Sequence, residues 1–225
     1  MEKVSEERKK KQGSIGASMH KSSGSAVPND IPNEATFEGD EIREWLVILL
    51  THQKYTKTCC KFLSEHATTQ DCKVYVPCRN EKHVYPNRTI RVVTKYVIPN
   101  IVFVTGLTET KAYHFVPECP YINIFLPDRA RAKTDGRVAL AKIHEREIRQ
   151  LRTAIKNVER LDDIEMVTDQ LTFSDEIEVV AGQLAGISGN YYAREGKDFL
   201  VFSIGRLGNV MVRVDKKLCK LKKHL

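Results

Sequence analysis

The stretch Val97-Ile98-Pro99-Asn100-Ile101-Val102-Phe103-Val104 breaks at Pro99-Asn100 and then runs through four apolar residues, three of them β-branched. Such a run, without polar alternation, reads as a short strand buried on both faces. Because successive residues of a strand point to opposite sides, Ile101 and Phe103 share one face and Val102 and Val104 the other. A second run of the same kind, Trp45-Leu46-Val47-Ile48-Leu49-Leu50, is flanked by charge and by Thr51-His52-Gln53, and reads as the central strand of the same sheet.

Working outward, Tyr55, Cys59, Phe62, Leu63 and His66 recur at helical spacing, with Lys54, Lys57, Lys61 and Glu65 on the other side. Val74 to Val76 forms a further strand ended by Pro77. Thr89 to Val97 alternates β-branched and basic residues after a Pro86-Asn87 turn, so Arg91 and Lys95 fall on one face. A short helix from about Thr108 to Val116 and a strand from Tyr121 to Leu126, stopped by Pro127-Asp128, complete the pattern. The last long helix runs from near His144 to Glu159, with Ile148, Leu151, Ile155 and Val158 in one stripe; its start is open, since Val138 to Ile143 also reads as a strand. Together these predict an α+β domain over residues 44–160, with one antiparallel sheet flanked by helices.

Residues 1–43 are rich in Ser, Gly, Lys and Glu with hardly any periodic apolar residues, and read as a disordered tail. Leu161 to Thr172, with Asp162, Asp163 and Glu165, reads as a linker. Beyond it, over residues 173–225, lie the runs Ile177–Val180, Ile187–Tyr192, Phe199–Ile204, Val210–Val214 and Leu218–Leu221, separated by glycines. Short strands at that spacing predict a small all-β closed barrel.

The 225 residues carry 36 Lys plus Arg against 29 Asp plus Glu, a net charge of +7. Residues 44–161 hold 20 basic and 11 acidic residues, so the basic excess lies in the front domain. No apolar run is long enough to cross a bilayer and no secretory signal is evident, which predicts a cytoplasmic protein without a membrane partner. The six cysteines include no CxxC pair, and His66 and His83 fall at no zinc-ligand spacing, so neither metal nor disulfide is expected. There is no GxxxxGK[ST] phosphate loop and no GxGxxG between strand and helix. Cys59 and His66 fit a buried helical stripe without an orienting carboxylate, so no catalytic residue, enzyme activity or cofactor is assigned.

Two patches resemble a known family. Asp175, Val179, Gly182, Gly186 and Gly189, followed by Ile204-Gly205-Arg206, resemble the KOW motif of SH3-like barrels. Val97 to Val104 resembles the Pro-Gly-Tyr-Val-Phe-Val strand of the NusG amino-terminal (NGN) domain, with Trp45 where that domain has its opening Trp. Order and spacing agree from about Glu44 to Leu221, so the chain resembles NusG-like transcription antitermination factors. Asn100 in place of Gly is similar to specialised paralogs of the RfaH type, and the Lys-rich tail, the divergent barrel and the hairpin resemble the UpxY type of Bacteroides polysaccharide loci. Ser174 replaces the usual Gly before Asp175, and Gln183-Leu184 replaces Pro-Phe.

The resemblance implies transcription elongation and antitermination in long operons for capsular or other surface polysaccharide. The partner it implies is the clamp helices of RNA polymerase, docked in an apolar depression lined by Ile98, Ile101 and Phe103. Ile204 stands where the general factor has an aromatic residue that contacts ribosomal protein S10, which weighs against ribosome coupling. The charge pattern of Arg79, Lys82, Arg88, Arg91 and Lys95 suits either a phosphate backbone or a solvated face, and the resemblance implies non-template DNA or nascent RNA as the nucleic acid. By resemblance to RfaH-like paralogs, Thr110, Lys111, Tyr113 and His114 would help read an unpaired base. A monomer is expected, and a KOW-type RNA-binding or ribosome-associated protein is the alternative reading.

Overall fold

The apolar run at the start of the front domain forms β1 (Glu44–Leu50). It is followed by α1 (Thr56–His66), β2 (Lys73–Tyr75), β3 (Cys78–Val84), β4 (Ile90–Tyr96) and β5 (Ile101–Thr105). Then come α2 (Glu109–Glu118), β6 (Ile122–Phe125), β7 (Pro127–Ala132), β8 (Val138–Leu140), β9 (Lys142–His144) and α3 (Glu145–Asn157). The rest is β10 (Ile164–Val167), β11 (Glu176–Val179), β12 (Ser188–Arg194), β13 (Lys197–Ser203), β14 (Asn209–Arg213) and β15 (Cys219–Leu221). This computed structural model describes residues 43–66, 72–132, 138–168, 171 and 175–222. They all belong to one unit. The tail expected over residues 1–43 lies outside the described residues except for Arg43.

The first sheet has the order β2-β5-β1-β6, with β9 added beside β1, and each pairing is antiparallel. A β-α-β-β-α-β chain in that strand order is the ferredoxin-like split arrangement. The register sets Val47 against Phe103 and Ile48 against Val102, so the alternation predicted for residues 101–104 holds across two strands. One face carries Leu46, Ile48, Val102 and Val104, in the core that α1 and α2 share through Cys59, Leu63, Ala112 and Phe115. The other carries Trp45, Val47, Ile101 and Phe103, clustered with Ile148, Leu151 and Ile155 of α3. Each fully buried Ile, Leu or Phe contributes about 1.5–3 kcal/mol, and this double-sided burial fixes the sheet between its helices. Asn100 has φ 60, a left-handed position that Asn tolerates better than most side chains, and its carbonyl accepts from Leu50 N at 2.8 Å.

Strands β10 to β15 form one antiparallel sheet in the order β10-β14-β13-β12-β11-β15. This corrects the sequence reading in two ways. Ile164–Val167 is not linker but pairs with β14, Ile164 opposite Val212. Six strands rather than five are present, and no pairing joins the end strands β10 and β15 among the described residues. Gly189 stands where a Cβ would lie 2.3 Å from the Val201 carbonyl, so no side chain fits between β12 and β13 there.

Pro127-Asp128 does not end the extended chain but opens β7, and β3, whose charged sequence gives no strand signal, pairs along its whole length with β4. In α1 the buried side is Thr56, Cys59, Cys60 and Leu63; His66 is exposed and stacks on Phe62 with ring centroids 4.2 Å apart.

Candidate nucleic-acid interface

The hairpin β3–β4 stands as a two-stranded sheet of its own. Its turn places Pro86 and Asn87 between Tyr85 and Arg88, with Arg88 N donating to Tyr85 O at 2.9 Å and Tyr85 N to Thr89 O at 2.9 Å. Arg88 has φ 60, where glycine is the usual occupant. The tip of the hairpin therefore holds a long cation in strained backbone.

Directly opposed residues share a face, so the pairing separates two surfaces. One carries Arg79, Glu81, His83, Arg91, Val93 and Lys95. On it Arg91 lies 5.5 Å above the Tyr85 ring, and His83 meets the same ring edge to face at 4.7 Å. The other carries Lys82 with Val84, Ile90 and Val92, which are 63%, 62% and 58% exposed.

The five cations expected on the hairpin divide into two sets. Lys82, Arg88 and Arg91 are exposed and form no ion pair among the described residues. Arg79 and Lys95 serve the fold. The Arg79 guanidinium donates to Val158 O at 2.6 Å and Ile155 O at 3.2 Å, which are carbonyls that the end of α3 leaves without helical partners. It also donates to Glu81 Oε1 at 2.6 Å, and Lys95 Nζ lies 3.0 Å from the other Glu81 oxygen and 3.8 Å from Asp162. The hydrogen bond from Arg79, then that from Lys95, holds the Glu81 carboxyl below the usual carboxylate range. Glu81 in turn raises the Lys95 ammonium.

On α2, Thr110 and His114 are exposed one turn apart. Tyr113 is half-buried against the core and its hydroxyl donates to Val138 O, so its ring is not an open stacking platform. Lys111 N donates to the Thr108 hydroxyl that caps the helix, at 3.3 Å.

Ile98, Ile101 and Phe103 do not form an open hollow. They are 5%, 8% and 0% exposed, in the cluster that contains α3, and Phe103 stacks on Tyr75 with ring centroids 5.9 Å apart. Ile204 is fully buried in the same cluster.

The KOW-like positions have structural work in this arrangement. Asp175 O accepts from Tyr191 N at 2.9 Å, and Val179 is buried. Gly182 and Gly186 adopt positive φ in the turn between β11 and β12. Gly205 N donates to Glu147 Oε1 at 2.8 Å, and a Cβ on Gly205 would meet Ile143 Cδ1 at 3.2 Å. Arg206 Nε lies 3.1 Å from Asp128 Oδ1. These contacts fasten the second sheet to α3 and to the start of β7. The sequence reading missed Asp128, Glu147 and Gln150, whose partners lie far along the chain.

Among the described residues no group of three or more His, Cys, Asp and Glu side chains could hold a metal ion, and no helix is long and apolar enough to cross a membrane. Burial, above all, pushes the Cys60 thiol up to about 12 and raises Cys59 further. Both are poor nucleophiles as a result. No protein-family model matches the chain, and no curated protein sequence matches it significantly.

Proposed function

We propose that this chain is a NusG-like transcription elongation and antitermination factor, which acts on elongating RNA polymerase in long operons such as those for surface polysaccharides. The sequence resemblance is the source of the reading. The observation that carries it furthest is the hairpin, a two-stranded sheet of its own, with Lys82, Arg88 and Arg91 exposed and without an ion pair among the described residues. Cations so placed attract the phosphate backbone without reading sequence, as a factor that travels along a whole operon requires.

Docking on the polymerase clamp helices through Ile98, Ile101 and Phe103 demands exposure that this arrangement does not give. Their burial favours a second reading, a KOW-type RNA-binding protein that does not hold polymerase.

One experiment separates the two. Immobilised full-length protein is offered core RNA polymerase, assembled elongation complexes and free RNA. The first reading expects retention of elongation complexes, reduced pausing, and a weaker effect for Lys82→Ala/Arg88→Ala/Arg91→Ala. Tight binding of free RNA without retention of polymerase would replace it with the second.

A further inference from the structure

One face of the β3–β4 hairpin exposes an apolar patch. The pairing puts Asn80 with Thr94, Lys82 with Val92, and Val84 with Ile90 on that face. Val84, Ile90 and Val92 adjoin one another there, and each is more than half exposed. A contiguous patch of β-branched side chains held in water marks a surface that meets something. Lys82 stands at its inner end and Arg88, in the turn, at its outer end; both are exposed. Among the described residues neither forms an ion pair, and no carboxylate shares the face. Arg91 belongs to the opposite face, over the Tyr85 ring.

The occupant that fits such a face is acidic, partly apolar and able to lie along strands. The chain carries one just ahead of Arg43, outside the described residues. Residues 31–42, Ile-Pro-Asn-Glu-Ala-Thr-Phe-Glu-Gly-Asp-Glu-Ile, hold four carboxylates and no Lys, Arg or His, whereas residues 1–30 hold six Lys plus Arg against four Asp plus Glu. The acidic half of the tail is therefore the half next to the fold. In an extended segment successive side chains alternate, which sets Ile31, Ala35 and Phe37 on one side and Glu34, Glu38 and Asp40 on the other. The distance is within reach. Glu145 N, at the start of α3, donates to Arg43 O at 3.0 Å, and Val158 O, past its end, accepts from Arg79. The helix rises about 20 Å between those contacts and Lys82 lies three strand residues, about 10 Å, beyond Arg79. Residues 31–42 span up to about 40 Å when extended.

From this we propose that residues 31–42 dock on the hairpin of their own chain: Ile31 and Phe37 cover Val84, Ile90 and Val92, and the carboxylates meet Lys82 and Arg88. The contact does not depend on what the hairpin binds. Its consequence rests on the reading above: the segment competes with phosphates for the hairpin's cations.

The test uses the full chain with the photoreactive residue p-benzoylphenylalanine in place of Ile90, and a second preparation with it in place of Val93 on the opposite face. Both positions are exposed, so both proteins should unfold at the wild-type temperature. Irradiation without any ligand should join the Ile90 position to a peptide from residues 31–42. A mixture of chains with ordinary and heavy isotopes should give no product of mixed mass. Glu34→Gln/Glu38→Gln/Asp40→Asn should lose most of that product and, in the otherwise native chain, bind a labelled oligouridylate about two- to tenfold more tightly, as release of a weak tethered competitor does. Absence of the product from Ile90, an equal yield from Val93, or a mixed-mass product that assigns the face to a second copy overturns the docking. Unchanged RNA affinity in the triple variant, while Lys82→Ala/Arg88→Ala weakens binding, overturns the competition. Neither readout requires polymerase, so failure here is distinct from failure to retain elongation complexes.

Discussion

The Arg79 guanidinium reaches Val158 O at 2.6 Å, joining the root of the hairpin to the last turn of α3 across most of the front domain's sequence. A charge-assisted bond to an otherwise unpaired helix carbonyl is among the stronger hydrogen bonds a side chain makes. Arg79→Ala should lower stability by about 1.5–3 kcal/mol, measured by urea unfolding. At matched folded fraction, its affinity for nucleic acid should stay within a factor of two or so of wild type, far less than the loss from removing one phosphate contact. A large affinity loss with unchanged stability would show instead that Arg79 touches the ligand.

Glu81 links the same residue to pH. Its folded carboxyl titrates below the ordinary value of 4.5, chiefly through the hydrogen bond from Arg79. A depressed carboxylate contributes stability that is present above its unfolded pKa and disappears as pH falls through the folded one. Wild type should therefore unfold at a higher temperature than Glu81→Gln near neutrality, and the gap should close below about pH 4.5. Melting curves across the acidic range decide it, and a gap that stays constant throughout rules the linkage out.

Arg88 sets function against stability. With φ 60 at the hairpin tip, it occupies backbone that favours glycine. Arg88→Gly should stabilise the chain by up to about 1 kcal/mol. Losing that cation should also reduce the salt slope of binding by about 0.7 for single strands. A variant that is both less stable and equally tight would show that the side chain is held for packing.

The alternation in Ile101 to Val104 was legible because both faces of that strand are buried and the period is two, and the α3 stripe because its apolar residues recur over three turns. β3 was not, because Cys-Arg-Asn-Glu-Lys-His-Val is mostly polar and becomes a strand only by pairing with β4. The acidic surroundings of Ile164 to Val167 hid β10 in the same way, since its partner β14 lies more than forty residues on. Local propensity is silent where the partner strand decides. The same limit explains the buried apolar face: a run such as Ile98, Ile101 and Phe103 has one composition whether it faces a partner or its own helix. The contact of Gln150 with Ser188 was invisible because α3 and the turn at residues 185–188 meet only in three dimensions.

Phe103 brings that ambiguity to a measurement. It is fully buried, stacked on Tyr75 and opposite Val47 in the central strand pair. Phe103→Ala should cost about 3–5 kcal/mol through lost burial and the cavity left behind. Phe103→Leu keeps much of the volume and should cost less than about 1.5 kcal/mol. If the side chain acts only as core, the folded fraction of Phe103→Leu should retain elongation complexes as wild type does, and its whole deficit should appear in urea unfolding. A Phe103→Leu protein of unchanged stability that no longer retains polymerase would show that this face is uncovered when the partner binds, and would restore Ile98, Ile101 and Phe103 as the docking surface.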